Sequence, residues 1–163
     1  PGAEPDAAEQ ERRLQNYWMP YHQALAGELE RLKAEHGAVL LWDAHSIASV
    51  LPRLFEGQFP DLNLGTNSGQ SCAANVIDRV AAVAQASSFS HVVNGRFKGG
   101  YITRHYGQPA QNVHAIQLEM SQCLYMDEAA PFGYLEYKAT TVQPLLQAML
   151  QAALAELPVP QAA

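Results

Sequence analysis

The chain has 163 residues, and 48% of them are hydrophobic, which is enough to bury one core, so we predict a single domain over residues 1–163. The net charge of -6 argues against nucleic acid as a partner, because duplex phosphates are bound by clustered Lys and Arg. Apolar runs fall short of the roughly 20 residues that cross a bilayer. Residues 1–6 lack the basic and apolar regions of a secretory signal, so we expect a cytoplasmic protein with no membrane partner.

A long amphipathic helix is predicted first. Asp6 and Glu9 form a capping pair, and Pro20 predicts a kink because its ring removes one backbone hydrogen bond. Gly37 predicts the end of the helix. The apolar residues at helical spacing are Leu14, Tyr17, Trp18, Tyr21, Leu25, Leu29 and Leu32.

Four strands and two further helices follow. The continuous apolar run 38–42 predicts a strand buried on both faces, and shorter patterns predict strands at 62–64, 91–93 and 113–120. Residues 73–86 predict a helix, and a last helix is predicted to start at a Thr141 cap, with Pro144 in its first turn and a tail that frays after Pro158. Strands that alternate with helices predict an α/β layered fold, with a mixed, largely parallel sheet flanked by helices and site residues at the carboxyl ends of strands.

The irregular segment between residues 46 and 75 is too long for a simple connection. Its apolar content favours an ordered loop that forms part of a site.

Asp43 and His45 come at the end of the first predicted strand, and a period of two puts both on one side. A neutral imidazole is a good zinc ligand, and the nearby carboxylate of Asp43 could orient it. The alternative is a structural histidine that is hydrogen-bonded to a loop.

Glu119 ends the strand at 113–120 and places a carboxylate at the same edge of the sheet. It could take a proton from a metal-bound water. The alternative is a glutamate that pairs with an arginine or caps a helix.

Residues 94–107 combine three cations, two tyrosines and four glycines in one predicted loop. Glycine lets backbone approach a ligand closely, and the fork of an arginine matches a carboxylate, so the composition suits an acidic small molecule. A phosphate loop is disfavoured because the G-x-x-x-x-G-K-[ST] spacing is missing. A glycine-containing hairpin with solvated charges, Lys98 in particular, is the other interpretation.

The remaining histidines and the two cysteines are predicted to be structural. We expect His22 and His36 at the surface or at a helix end, and His91 and His114 in strands. Cys72 and Cys123 form neither a C-x-x-C motif nor a disulfide framework and are predicted to be buried thiols.

The segments 41–47, 52–55, 61–66, 94–107 and 117–119 together resemble N-formylglutamate amidohydrolases in order and spacing, over almost the whole chain. The combination of D-A-H-S, D-L-N-L-G-T and N-G-R-F-K-G-G-Y-I-T-R-H-Y-G is more specific than any single motif. That family is similar to zinc carboxypeptidases and aspartoacylases, so the resemblance implies a zinc-carboxypeptidase-like fold and hydrolysis of N-formyl-L-glutamate to formate and L-glutamate, a step of histidine degradation.

The resemblance also implies roles for individual residues. His45 would be a ligand of a divalent metal, Zn or alternatively Co, and Glu119 the catalytic base, with Asp43 behind the ligand. Substrate carboxylates would be held by Arg96 and Arg104, in a pocket that Tyr101 and His105 line.

Family members carry a further N-terminal segment, with a P-H-S-G type motif and an acidic residue that supply two more metal ligands. We therefore expect this chain to be the C-terminal portion of the catalytic domain, without its N-terminal strands and with an incomplete metal site. An exposed sheet edge would then make the isolated chain associate, whereas the full-length protein is expected to be monomeric. Two other functions are open: hydrolysis of another N-acyl amino acid, and a non-catalytic fragment that binds an acidic small molecule.

Overall fold

The computed structural model describes residues 4–158, in which helices cover both faces of a four-stranded sheet. The helices are α1 (Ala7–Arg13), α2 (Met19–His36), α3 (Ala74–Gln85), α4 (Tyr101–Tyr106) and α5 (Glu136–Ala155). The strands are β1 (Val39–Ile47), β2 (Leu62–Gly65), β3 (His91–Val93) and β4 (Val113–Ser121). A π turn (Leu14–Trp18) joins α1 to α2, and short 3-10 turns (Pro109–Gln111 and Gln122–Leu124) flank β4. The α/β prediction is confirmed.

Two predictions concern chain ends that the structure describes only in part. Residues 1–3, half of the segment 1–6 that lacks the features of a secretory signal, lie outside the described residues. So do residues 159–163, which form most of the tail that was expected to fray. Within residues 4–158, no helix combines the length and the apolar character that crossing a bilayer requires.

The first helical segment follows its sequence signals. Asp6 caps α1 by accepting a hydrogen bond from the backbone N–H of Glu9, and Gly37 ends α2 in the left-handed conformation. Pro20 has no N–H to donate, and just before it the chain forms the π turn. The hydrogen-bond pattern thus changes just before Pro20, and the predicted kink itself stays a prediction.

Only the second half of this segment packs as an amphipathic helix. Leu29 is buried against Val39 and Tyr106, between α2 and the sheet. By contrast, four large apolar residues of the first half are exposed: Leu14, Tyr17, Trp18 and Tyr21. The predicted apolar stripe is correct in its spacing, but within residues 4–158 only its C-terminal half is covered.

The sheet has the strand order β1-β4-β2-β3. β1 runs parallel to β4 and β2 parallel to β3, whereas β2 and β4 are antiparallel, so the sheet is mixed and mostly parallel, as predicted. β1 is an edge strand among the described residues, and Leu40, Leu41 and Trp42 are only half-buried. The prediction that this strand is buried on both faces is wrong, because the same apolar run also suits an edge strand. The predicted association of the isolated chain stays a prediction.

The two faces of the sheet have different characters. One face carries Leu62, Leu64, Ile116 and Leu118, which pack against α3 and α5 in the main core. The other face is apolar where α2 and α4 cover it and polar farther along β1 and β4. The polar part is where the predicted site residues lie.

The start of the last helix was predicted wrongly. α5 begins at Glu136, so Thr141 lies within it and Pro144 is an interior residue. The helix extends beyond the Thr-Pro signal because Ala139 and Val142, both before Pro144, are buried. Tertiary packing here outweighs the local cost of a proline within a helix.

His114 on β4 is a buried imidazole. Its Nδ1 atom accepts a hydrogen bond from the N–H of Ala73 at 3.2 Å, and its Nε2 atom is buried with no hydrogen-bond partner among the described residues. Burial lowers the pKa of His114 from its usual value of 6.5, because the charged ring would lose its hydration.

Stability is therefore expected to depend on pH through His114. Its contribution is fully present above pH 6.5 and is lost as the pH falls through the depressed folded-state pKa, since the unfolded chain binds a proton that the folded chain excludes. The melting temperature should fall more steeply from pH 7.5 to 5.5 in the wild type than in His114→Gln. His36→Gln, a change at an exposed histidine, is the control. Equal slopes in the wild type and His114→Gln would contradict the prediction.

Candidate active site

Asp43 and His45 lie on the same side of β1, in the half of the strand nearest its carboxyl end. Nε2 of His45 is 3.0 Å from Oδ1 of Asp43, so the carboxylate orients the ring. The His45 side chain is 48% exposed and that of Asp43 17%, which leaves the ring accessible to a ligand. The two residues lie within the strand and not after it, because β1 continues to Ile47.

Glu119 lies beside His45 on the neighbouring strand. The register of the parallel pair sets Glu119 opposite His45 and Gln117 opposite Asp43. Glu119 is only 7% exposed, and this burial raises the pKa of its carboxyl group. The charge of His45 and a hydrogen bond from Gln117 oppose the rise, whereas Asp43 adds to it. The site thus holds a buried carboxyl group whose proton affinity is increased, as a general base requires.

Among residues 4–158, Glu119 does not pair with an arginine, which was the alternative interpretation. None of the ion pairs formed within residues 4–158 involves Glu119. Its side-chain hydrogen bond comes from Nε2 of Gln117, at 3.4 Å.

The side chains on this face include ligand types that zinc uses. With Nε2 of His45 beside Asp43, the Nδ1 atom is left to act as a ligand, which is the usual arrangement of a carboxylate behind a metal-bound histidine. Residues 4–158 contain no group of three or more His, Cys, Asp or Glu side chains placed to hold a metal ion. A catalytic zinc ion takes three protein ligands, so the described residues fit one position of such a site.

Residues 97–100, which we call the strap, lie across the polar face. The fully buried side chain of Asn63 donates from Nδ2 to the carbonyl of Phe97 at 2.6 Å. On the same strand, Gly65 lies directly beneath the strap, where a Cβ atom would be 2.6 Å from the nitrogen of Gly99. Only glycine allows backbone to approach this closely.

Gln117 connects the strap to the candidate base. Its Oε1 atom accepts a hydrogen bond from the N–H of Gly100 at 2.6 Å, and its Nε2 atom donates to Glu119. The Gln117 side chain is buried, with both ends of its amide hydrogen-bonded.

The two predicted arginines lie on either side of the strap. Nη1 of Arg104 donates to the carbonyl of Gly99 at 2.8 Å, and Nε of Arg96 donates to the carbonyl of Leu54 at 2.8 Å. Both side chains are exposed, so each guanidinium keeps donors for a carboxylate. The bond from Arg96 also ties the strap to the loop before β2, in the segment that was predicted to form part of a site.

Residues 94–107 are not one loop as predicted, because α4 occupies their second half. Tyr101 and His105, one helical turn apart, stack with ring centroids 4.9 Å apart. They contact His22 of α2, whose ring lies 5.4 Å from Tyr101 and 6.3 Å from His105. His22 is also 2.6 Å from the hydroxyl of Tyr106, so it is part of a packed aromatic cluster and not the simple surface group that was expected. The roles of Tyr101 and His105 toward a substrate stay predictions.

The remaining structural residues follow the sequence in most respects. His36 is exposed at the end of α2, and His91 is half-buried in β3. Cys72 is buried, which raises its pKa to about 12, so it is an inert thiol. Cys123 is only half-buried, which corrects the prediction that both cysteines are buried.

Two residues of the site, Asn63 and Gln117, received no role from the sequence. Each carried a signal nonetheless. Asn63 is a polar residue between two leucines of a short apolar strand, and Gln117 lies two residues before Glu119, hence on the same face. Their partners in the strap are remote in sequence, so no local pattern could identify the hydrogen bonds.

Comparison with known proteins gives one family and several relatives. The model of the family described as N-formylglutamate amidohydrolase matches residues 2–126. An N-formylglutamate deformylase from Pseudomonas aeruginosa is 56% identical over 155 residues, which are 94% of this chain and 58% of the relative. One from Pseudomonas putida is 52% identical over the same shares. This chain therefore spans less than two thirds of the length of these relatives.

Solved structures give the same result for the fold. An N-formylglutamate amidohydrolase from Ralstonia eutropha superposes with a TM-score of 0.78 at 28% identity, covering 91% of this chain and 54% of that one. A gene product from Agrobacterium tumefaciens superposes with a TM-score of 0.67 at 17% identity, over 93% of this chain and 55% of the other, and this likeness concerns the fold alone.

Proposed function

The chain belongs to the N-formylglutamate amidohydrolase family, and from this premise we propose that it carries the catalytic base of an enzyme that hydrolyses N-formyl-L-glutamate to formate and L-glutamate. The observation that carries the proposal is the buried carboxyl group of Glu119 beside the Asp43–His45 pair. The names of the relatives support the choice of substrate.

Glu119 acts first as the base. Its carboxylate takes a proton from a water molecule while the water oxygen forms a bond to the formyl carbon. The raised pKa of Glu119 supports this role, because a base whose pKa is closer to neutrality holds the proton more readily during the step.

The second step releases the amine. The bond between the formyl carbon and the amide nitrogen breaks, and Glu119 returns the proton to that nitrogen. The products are formic acid and the free amine of L-glutamate; the acid proton passes to the amine, which gives formate and L-glutamate, and Glu119 is again a carboxylate. The negative charge on the former carbonyl oxygen requires a nearby positive group.

We propose that the reaction depends on a divalent metal, Zn or alternatively Co, for which His45 is one ligand. Such an ion, when bound, lowers the pKa of a water molecule and polarises a carbonyl group. Asp43 fixes the ring of His45 through Nε2, so Nδ1 would be free to hold the ion. A full site needs further ligands in addition to His45.

The substrate is an acid, and the exposed guanidinium groups near the strap match its carboxylates. Arg104 and Arg96 are proposed to bind them in a forked geometry. Tyr101 and His105 are proposed to line the pocket from α4. The carbonyl of Gly99 in the strap holds the guanidinium of Arg104, and the carbonyl of Leu54 holds that of Arg96.

Three wider statements accompany this function as proposals. The reaction would complete a route of histidine breakdown, the enzyme would be cytoplasmic, and the full-length protein would be a monomer. We also propose that residues 1–163 form one domain.

The proposal is tested by measuring formate release from N-formyl-L-glutamate with added Zn²⁺ or Co²⁺, on this chain and on the full-length protein, next to N-formyl-L-glutamine and N-acetyl-L-glutamate. We expect the glutamine compound to be disfavoured by about tenfold or more, because its neutral side chain loses a charge-assisted hydrogen bond from an arginine. Faster hydrolysis of the acetyl compound would favour an enzyme for another N-acyl amino acid. Binding of L-glutamate without any turnover would favour a non-catalytic fragment.

A further inference from the structure

Gln117 lies between the candidate base and the strap and touches both. Its carbonyl end holds the N–H of Gly100, and its amino end donates to Glu119. The next residue of the strap, Gly99, accepts a hydrogen bond from Arg104. A chain of contacts therefore runs from the base, through one buried amide and two glycines, to a cation that is suited to a carboxylate.

The strap is held at several points, and one of them is a backbone bond in its middle, where the N–H of Asn67 donates to the carbonyl of Lys98 at 2.6 Å. Asn63 holds Phe97 at one end, with its Nδ2 donating to the carbonyl and, more weakly, its Oδ1 accepting from the N–H at 3.4 Å. Gln117 holds Gly100 at the other end. Gly65 lets the middle of the strap lie against β2. Both amides are buried, so losing either bond leaves a polar group without a partner in the interior, which the structure would relieve by moving the strap.

Resting on the proposed function, we propose that Gln117 is a positioning residue, which holds the strap, and through it the guanidinium of Arg104, at a fixed place relative to Glu119. A substrate must present its amide to the base and a carboxylate to the cation at the same time. The distance between the two groups then selects the length of the acid. Gln117 is thus the residue that favours a glutamate skeleton over the shorter aspartate skeleton.

The test uses Gln117→Leu, which keeps the volume and removes both hydrogen bonds. Two quantities are measured on the whole chain: hydrogen exchange of residues 94–106, and the ratio of dissociation constants for L-aspartate and L-glutamate by NMR titration. We expect the wild type to bind L-glutamate about tenfold or more tightly than L-aspartate, because one methylene group can change the affinity by that much. In Gln117→Leu we expect faster exchange in residues 94–106 and a ratio close to one, because a displacement of about 1 Å is costly to a positioned group.

Ser71→Ala is the matched control. It removes a buried hydrogen bond to the same strand, from the Ser71 hydroxyl to the carbonyl of Ala115 at 2.8 Å, without touching the strap. The positioning role is overturned if Gln117→Leu has a melting temperature close to that of Ser71→Ala but keeps the wild-type ratio of dissociation constants and the wild-type hydrogen exchange in residues 94–106. If the control loses the preference as much as Gln117→Leu does, the effect is general destabilisation and the role is also overturned.

A second variant decides the matter if Gln117→Leu fails to fold. Gly65→Ala pushes the strap away from β2, since its Cβ atom would be 2.6 Å from the nitrogen of Gly99, and it should also reduce the preference for L-glutamate. Its control is Gly27→Ala, where a Cβ atom meets nothing within 4 Å.

The failure of the proposed function gives a different result. A wild-type chain that binds neither amino acid counts against the acid pocket, and hydrogen exchange alone then decides the role of Gln117. Unchanged exchange in residues 94–106 of Gln117→Leu overturns it, and faster exchange that Ser71→Ala does not show supports it.

Discussion

Replacing Glu119 by glutamine is expected to reduce the hydrolysis of N-formyl-L-glutamate by about 10²–10⁴-fold, because the amide cannot take a proton from water. The shape and the burial of the side chain are kept, so the loss should fall on kcat with little change in KM. Formate release by the full-length protein, measured under saturating metal and substrate, checks this. Activity within a few fold of the wild type would remove Glu119 from the role of base.

The same substitution is expected to stabilise the chain as the pH rises. The folded-state pKa of Glu119 is raised above its usual value of 4.5, so its contribution to stability is fully present below that pH and is lost as the pH rises through the raised pKa. Glu119→Gln has no such loss. The difference between its melting temperature and that of the wild type should therefore increase in favour of the variant from pH 5 to pH 8. Glu30→Gln, at an exposed position of α2, should follow the wild type at every pH. This result does not depend on turnover.

Replacing His45 by alanine is expected to remove metal-dependent activity and to weaken Zn²⁺ binding by more than the roughly 10–100-fold that loss of an outer partner costs. The imidazole is the described ligand best placed for an ion, since its ring is half exposed and oriented by Asp43. Calorimetric titration of the full-length protein with Zn²⁺ and the absorption of bound Co²⁺ measure the affinity directly. Equal affinities in the wild type and in His45→Ala would exclude His45 as a ligand.

Asp43→Asn provides the graded counterpart. It keeps a polar partner beside Nε2 of His45 but removes the charge, so we expect a loss of Zn²⁺ affinity within about 10–100-fold, smaller than the loss in His45→Ala. His36→Ala, at the exposed end of α2, is the control for unspecific histidine binding. A larger loss in Asp43→Asn than in His45→Ala would make the carboxylate the ligand and the imidazole its support.

In the apolar stripe of the first helix, the local pattern predicts the spacing of the residues correctly but not their burial. Its spacing is helical throughout, and the cap at Asp6 and the stop at Gly37 lie where the sequence puts them. Yet Trp18 is exposed while Leu29 is buried in the same continuous segment. Spacing determines that residues share a face of a helix, but whether that face is covered depends on which other segment lies against it.

In the last helix, packing instead adds residues that the local sequence signal does not predict to be helical. Thr141 followed by Pro144 is a sound local signal for a helix start, but α5 begins five residues before Thr141, at Glu136. Packing of Ala139 and Val142 against the core stabilises a turn that the local signal would have left out.

The sequence alone determined where the four strands lie, the start of α1, the end of α2, the position of α3 and the shared face of Asp43 and His45, because each follows from a run or a period of apolar residues or from one capping residue. Motif resemblance added the roles of His45 and Glu119, which remain predictions. Only the tertiary structure decided that β1 lies at the edge of the described sheet, that β2 runs antiparallel to β4, and that Asn63 and Gln117 hold the strap beside Glu119. The physical reason is that these contacts join segments more than 15 residues apart, as with Gln117 and Gly100, which are separated by 17 residues, and their energies depend on the packing of the whole chain.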